Sequence, residues 1–76
     1  MMKKDKLLGI IKSQGIQIGT LINEINKNGV KMSKSTFYKG LRDERPFKAD
    51  EIKAIAKILK INGEMINEIF FAELAS

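Results

Sequence analysis

The chain has 76 residues, a formal net charge of +5, and neither cysteine nor histidine. Their absence excludes disulfide bonds, thiolate or imidazole metal ligands, and catalysis by a cysteine or a histidine. With 43% hydrophobic residues, the chain is too apolar for a disordered protein but long enough for only one thin core. We therefore expect a single domain over residues 1–76 that is not an enzyme and holds no cofactor or metal.

The N-terminal segment carries lysines, but it lacks the pattern of a secretion signal. Gly9 and Lys12 interrupt the apolar stretch that follows these lysines, and no small-residue cleavage site comes after it. No apolar run approaches the roughly 20 residues that span a bilayer. These features predict a cytoplasmic protein.

Two helical periods precede the first clear turn. The first covers residues 4–13 and is followed by Gly15 as a stop. The second covers residues 17–26, and four apolar residues recur there with the i, i+3, i+4, i+7 spacing of a buried stripe: Ile18, Leu21, Ile22 and Ile25. The pair Asn28-Gly29 then accommodates positive φ easily, which predicts a change of chain direction.

The third helix, at about residues 33–42, has the clearest start. Ser33 is a good N-cap, and Met32 before it can contact Phe37 in the next turn as a hydrophobic staple. With Phe37 turned inward, the opposite face of the helix is polar and basic. Gly40 lies inside this period, so either the helix is short or the glycine lets another part of the backbone approach closely.

Two further helices follow a charged connector that contains Pro46. Residues 49–60 repeat the spacing of a buried stripe, with acidic residues near the start and lysines near the end. Asn62 is the predicted cap of a fifth helix, whose apolar residues are Met65, Ile66, Ile69, Phe70, Phe71 and Leu74. Five helical periods without a strand pattern predict an all-α fold.

The excess positive charge lies in one segment. Residues 27–48 contain seven basic and two acidic residues, and this difference equals the net charge of the whole chain. Such clustering is typical of a surface that binds a polyanion. The alternative is a solvated charged loop.

Helices two and three fit a helix-turn-helix, in which one helix crosses the DNA backbone and the next presents its N-terminal residues to the major groove. The candidates for base contact are Lys34, Ser35, Tyr38 and Lys39. The candidates for phosphate contact are Lys27, Lys31, Arg42, Arg45 and Lys48. Each has a structural alternative, because Tyr38 could cover the edge of the core, Ser35 could satisfy the first helical turn, and each lysine could be solvated.

Residues 32–42, which read MSKSTFYKGLR, resemble the recognition-helix segment of the Cro/CI family, the lambda-repressor-like or XRE helix-turn-helix proteins. The resemblance is closest to small repressors and Cro-like proteins of phages from Gram-positive bacteria. It continues through Phe47, residues 51–59 and residues 69–71, and so covers most of the chain.

This resemblance implies a five-helix lambda-repressor-like DNA-binding domain with the helix-turn-helix at helices two and three. Residues 33–39 would face the DNA, with Ser33 and Gln17 as further phosphate contacts. Two features differ from the family pattern. The turn over residues 26–31 is longer, and Gln17 replaces the usual serine or threonine at the start of helix two.

The predicted function is therefore a sequence-specific transcriptional regulator of the phage or prophage repressor type. We expect it to bind double-stranded DNA as a homodimer on a palindromic operator, because one copy presents only one recognition helix. The candidate dimer interface is the apolar set Ile69, Phe70, Phe71 and Leu74, and the alternative is that these residues only close the core. A different function is also open: an antirepressor that uses the same fold to bind another phage repressor protein.

Overall fold

A computed structural model describes residues 2–71, and this part of the chain contains five α-helices and no strand. The helices are α1 (Lys4–Ser13), α2 (Ile18–Lys27), α3 (Lys34–Leu41), α4 (Ala49–Leu59) and α5 (Gly63–Phe70). The prediction of an all-α chain with five helices is confirmed over the described residues, and the ends of the first four lie within one residue of those expected. None of the helices over residues 2–71 is long and apolar enough to cross a membrane.

The core receives at least one wholly buried side chain from every helix. These side chains are Leu7, Leu21, Ile25, Phe37, Ile55, Leu59 and Ile69. α2 and α4 form the most extensive helix pair, because both carry an apolar stripe at helical spacing. Ile69 lies in this core at 0% exposure, so it closes the monomer and is not accessible to a second copy.

Four of the helices end in the same way, with a residue in the left-handed conformation. Gly15 and Gly29 take this position after α1 and α2, and Asp43 and Lys60 take it after α3 and α4. In each case the next N–H donates to a carbonyl in the last helical turn: Ile16 to Ile11, Val30 to Ile25, Glu44 to Lys39 and Ile61 to Ala56. These Schellman turns reverse the chain within a few residues, so that five short helices can enclose one core.

An aromatic stack holds α3 against the connector that follows it. The Phe47 ring lies between Phe37 and Phe70, with edge-to-face centroid distances of 5.7 Å and 5.8 Å. The same ring covers Gly40, where an added Cβ would lie 2.4 Å from the ring. The glycine therefore admits an aromatic side chain rather than another backbone segment, and α3 continues past it to Leu41.

We predict that Gly40→Ala lowers the free energy of unfolding by about 2 kcal/mol. Alanine favours the helix by about 1 kcal/mol, but overpacking costs up to about 3 kcal/mol where the neighbouring ring is fixed on both sides. Gly9→Ala is the matched control, because Gly9 is also inside a helix but has open space around it. Urea denaturation should show Gly9→Ala more stable than the wild type and Gly40→Ala less stable; equal stabilisation by both would contradict the close packing of Phe47.

Candidate nucleic-acid interface

The outward face of α3 is polar, basic and accessible to solvent. The exposed side chains on this face are Lys34, Ser35, Tyr38, Lys39 and Arg42. Tyr38 is 37% exposed, and its ring contacts the edge of the buried Phe37 ring at a centroid distance of 6.1 Å. Tyr38 thus rests on the core while its hydroxyl-bearing side chain remains on the same accessible face as the lysines.

The hydroxyl groups in the first turn of α3 have different roles. Ser33 Oγ accepts a hydrogen bond from the Thr36 N–H at 3.1 Å and donates to Thr36 Oγ1 at 3.0 Å. These bonds cap the helix, as the sequence predicted for Ser33. Ser35 makes no side-chain hydrogen bond to any residue within 2–71, and it is exposed, so its hydroxyl is available to bind a ligand.

The charges at the helix starts set α2 and α3 apart. α1, α4 and α5 each carry an acidic residue in the first turn, which compensates the positive end of the helix dipole. α2 and α3 carry none, and α3 begins with Lys34. A cation at this end is unfavourable by about 0.3–1 kcal/mol, so the start of α3 concentrates positive charge at some expense of stability.

The turn between α2 and α3 is the segment that the sequence marks as longer than in the Cro/CI pattern. It runs over residues 28–33, and Gly29 at φ +84° reverses the chain after α2. Asn26, near the end of α2, hydrogen-bonds through its side-chain amide to both the N–H and the carbonyl of Met32. The residue that precedes the α3 cap is therefore attached directly to α2, although the turn itself is long.

Ion pairs neutralise part of the basic segment. Lys27 lies 3.7 Å from Glu24, Arg42 pairs with Glu44, and Arg45 pairs with Glu51. Among the described residues, the basic side chains of this segment that form no ion pair are Lys31, Lys34, Lys39 and Lys48. The positive charge that a polyanion would meet is thus carried mainly by lysines on α3 and beside its start.

The Arg45–Glu51 ion pair closes the connector between α3 and α4. The guanidinium donates to both carboxylate oxygens at 3.1 Å and 2.9 Å, and the Lys48 N–H donates to the same carboxylate at 2.8 Å. Glu51 is only 3% exposed. Burial raises the pKa of Glu51, but the hydrogen bonds from Arg45 and from the Lys48 N–H outweigh it, so the pKa lies below its usual value.

This ion pair gives Arg45 a structural role beside the phosphate contact predicted for it. From the sequence, Glu51 is expected only to compensate the dipole at the start of α4. It lies three residues after Lys48. A glutamate at that position often accepts from the cap N–H, which is the signal that could have indicated its hydrogen bond to Lys48. No local pattern indicates the contact with Arg45.

The remaining candidates lie away from the outward face of α3. Gln17 is the exposed N-cap residue of α2, and its side chain makes no capping hydrogen bond. In the candidate dimer interface, Phe70 is half-buried against Phe47, and Phe71 is 39% exposed. Leu74 lies outside the described residues. Of the apolar set, Phe71 is therefore the large side chain left accessible to a partner within residues 2–71.

The chain was compared with protein-family models, curated proteins and solved structures, and no match was found in any of the three. The resemblance to the Cro/CI family therefore rests on the residues quoted above and stays a prediction. What the described residues establish is an all-helical chain whose third helix presents a basic, hydroxyl-bearing face.

We predict that Glu51→Gln lowers the free energy of unfolding at pH 7 by about 1–3 kcal/mol, because the neutral amide loses a charge-assisted bidentate contact. The folded-state pKa of Glu51 is lowered, so its stabilisation is present above the unfolded-state pKa and is lost as the pH falls through the folded value. The free energies of unfolding of the wild type and of Glu51→Gln should therefore become similar at acidic pH.

The matched control is Glu68→Gln, which removes an exposed carboxylate paired with Lys6. Its stability at pH 7 should change little, because exposed ion pairs are screened by solvent. Equal effects of the two variants on denaturation midpoints across pH 3–7 would contradict the role assigned to Glu51.

Proposed function

We propose that this protein is a sequence-specific DNA-binding transcriptional regulator of the Cro/CI repressor type. In the proposal α2 and α3 act as the helix-turn-helix, and α3 enters the major groove. The observation that carries it is the outward face of α3, where lysines and hydroxyl groups lie at a helix start that has no compensating acid.

The size and chemistry of α3 suit this role. An α-helix with its side chains is about 10–12 Å in diameter, and the major groove, about 12 Å wide, admits one helix. Lys34 and Ser35 lie at the start of the helix, where helix-turn-helix proteins contact base edges. A lysine can donate to guanine O6 and N7, and a hydroxyl can donate or accept, so these side chains are able to distinguish base pairs.

The lysines without ion pairs would supply most of the affinity for phosphates. Each phosphate contact changes the slope of log affinity against log salt concentration by about −0.9. If Lys31 and Lys48 each neutralise one phosphate while Lys34 and Lys39 contact bases, the slope is roughly −2 per protomer; if Lys34 and Lys39 also contact phosphates, it is roughly −3 to −4. Arg42, Arg45 and Lys27 contribute less in this proposal, because each is already paired with a glutamate.

The proposal includes a homodimer on a palindromic operator, since one α3 reads only one half-site. Among the described residues of the candidate dimer interface, Phe71 and the accessible part of Phe70 are the apolar side chains that could contact a second copy. Analytical ultracentrifugation, with and without a duplex that carries two half-sites, measures how many protein copies bind each duplex.

The deciding test is fluorescence anisotropy with the promoter DNA beside the protein's own gene and with a scrambled duplex, at two salt concentrations. We expect a preference for the native fragment that persists at the higher salt, because base contacts do not depend on counterion release as phosphate contacts do. Equal and strongly salt-dependent affinity for both duplexes would contradict sequence-specific recognition. In that case capture of a phage repressor protein would distinguish the antirepressor function.

We predict opposite effects of Lys34→Glu on stability and on DNA binding. Glutamate at the first position of α3 compensates the helix dipole and should raise the free energy of unfolding by about 0.5–1 kcal/mol. The same change places an anion against the DNA and should weaken binding at least tenfold, because it removes one cation and adds a repulsive charge.

Lys57→Glu is the matched control, because it makes the same charge change at the basic end of α4. It should lower stability, since it places an acid at the negative end of a helix, and it should leave the preference for the native fragment unchanged. Thermal denaturation measures the stability of both variants, and fluorescence anisotropy measures their affinity for the native and scrambled duplexes. A Lys34→Glu variant that keeps wild-type DNA affinity would exclude the start of α3 from the interface.

A further inference from the structure

We infer that Asn26 is a positioning residue for DNA recognition, because its side chain sets where α3 begins relative to α2. The inference rests on the proposed function and extends it to a residue outside the contact surface. Asn26 is on α2, directly before Lys27, and is not among the candidate contact residues that the sequence indicated.

The amide of Asn26 is almost fully used in this position. Its Nδ2 donates to the carbonyl of Met32 at 2.9 Å and to the carbonyl of Ile22 at 2.9 Å, and its Oδ1 accepts from the Met32 N–H at 3.2 Å. Both N–H donors and the oxygen acceptor therefore have partners. We call the two bonds to Met32 the Asn26–Met32 bridge.

The bridge requires the chemistry of asparagine. Aspartate has an acceptor but no donor for the two carbonyls, and serine has one O–H donor, which cannot serve both carbonyls. Glutamine has the same amide but is one methylene longer. Asn26 is the second-last residue of α2, so its amide lies close enough to the following turn to reach Met32.

The bridge acts on the point from which α3 starts. Met32 directly precedes the cap residue Ser33, and its own side chain is buried at 6% exposure. Its backbone is thus fixed by Asn26 and its side chain by the core. Lys34 and Ser35 follow within three residues, so a shift at Met32 moves the side chains proposed to reach the bases.

Base contacts and phosphate contacts respond differently to such a shift. A hydrogen bond to a base edge weakens sharply when the donor moves by an ångström, whereas a long lysine side chain can still reach a phosphate. Loss of the Asn26–Met32 bridge should therefore lower the preference for the correct sequence more than it lowers overall affinity for DNA. A residue that only stabilised the fold would lower both together.

The test compares Asn26→Ala and Asn26→Gln with Asn28→Ala. Both substitutions at Asn26 raise helix propensity, so a loss of α2 would not explain their effect. Asn28 provides the control, because its amide donates to the Glu24 carbonyl at 2.8 Å and so makes a local contact within one turn of α2. Anisotropy is measured with the native promoter fragment and with scrambled duplex, at a temperature where circular dichroism shows each variant folded.

For both Asn26 variants we expect the ratio of native to scrambled affinity to fall about tenfold, comparable to the loss of one good base contact. Affinity for scrambled duplex should stay within about twofold, and Asn28→Ala should keep the wild-type ratio. An unchanged ratio in Asn26→Ala, or an equal loss of affinity for both duplexes, overturns the positioning role.

Amide hydrogen exchange at Met32 provides a second readout that needs no DNA. Exchange should be faster in Asn26→Ala than in the wild type and unchanged in Asn28→Ala, because only the first variant removes the acceptor for this N–H. Unchanged exchange in Asn26→Ala overturns the bridge itself. If exchange is faster in Asn26→Ala but the wild type shows no preference for the native duplex, the bridge exists and the proposed function is wrong. Failure of the bridge and failure of the proposed function are therefore distinguishable.

Discussion

The position of α3 depends on a small amount of apolar contact. An isolated helix of eight residues is not stable in water, so α3 exists because Phe37 and Leu41 are buried and because the Phe47 ring packs over Gly40. These contacts occupy one side of the helix. Most of the other side chains of α3 are exposed, and they can present charge and hydroxyl groups to solvent. The candidate interface is therefore available because the core uses only one side of α3.

The distribution of charge at the helix starts shows where stability has not been optimised. Three helices carry an acid in the first turn, whereas α3 carries Lys34 there. α2 has no first-turn acid either, but only α3 combines that absence with a lysine at its first position, and a local choice that opposes stability is typical of a functional site. The ion pairs nearby support the same interpretation, because they neutralise Arg42 and Arg45 but leave the lysines of α3 available.

Much of the fold could be predicted from the sequence because its signals are local. Ser33 and Asn62 cap their helices through the first-turn N–H groups, and Gly15 and Gly29 take the left-handed positions that end α1 and α2. Asp43 and Lys60 do the same after α3 and α4 but carry side chains that do not mark such a position. These two helix ends therefore could not be read from residue type alone.

The same limit applies to the candidate site. The outward residues of α3 follow from helical spacing, because Phe37 and Leu41 identify the inner side. The contacts that hold the helix in place do not follow from spacing. Asn26 reaches Met32 across a turn, Arg45 reaches Glu51 across a connector, and Phe47 fills the space above Gly40. Each depends on two segments that meet only in the folded chain.

Two polar contacts thus bracket α3, and they differ in their response to pH. The Asn26–Met32 bridge precedes the helix and contains no titratable group, whereas the Arg45–Glu51 ion pair follows it and depends on an ionised carboxylate. The pKa of Glu51 is lowered, so its carboxylate stays ionised to a lower pH than that of an unperturbed glutamate. Protonation of Glu51 would weaken only the contact after α3, so the start of the helix, which carries Lys34 and Ser35, is held by the contact that does not titrate.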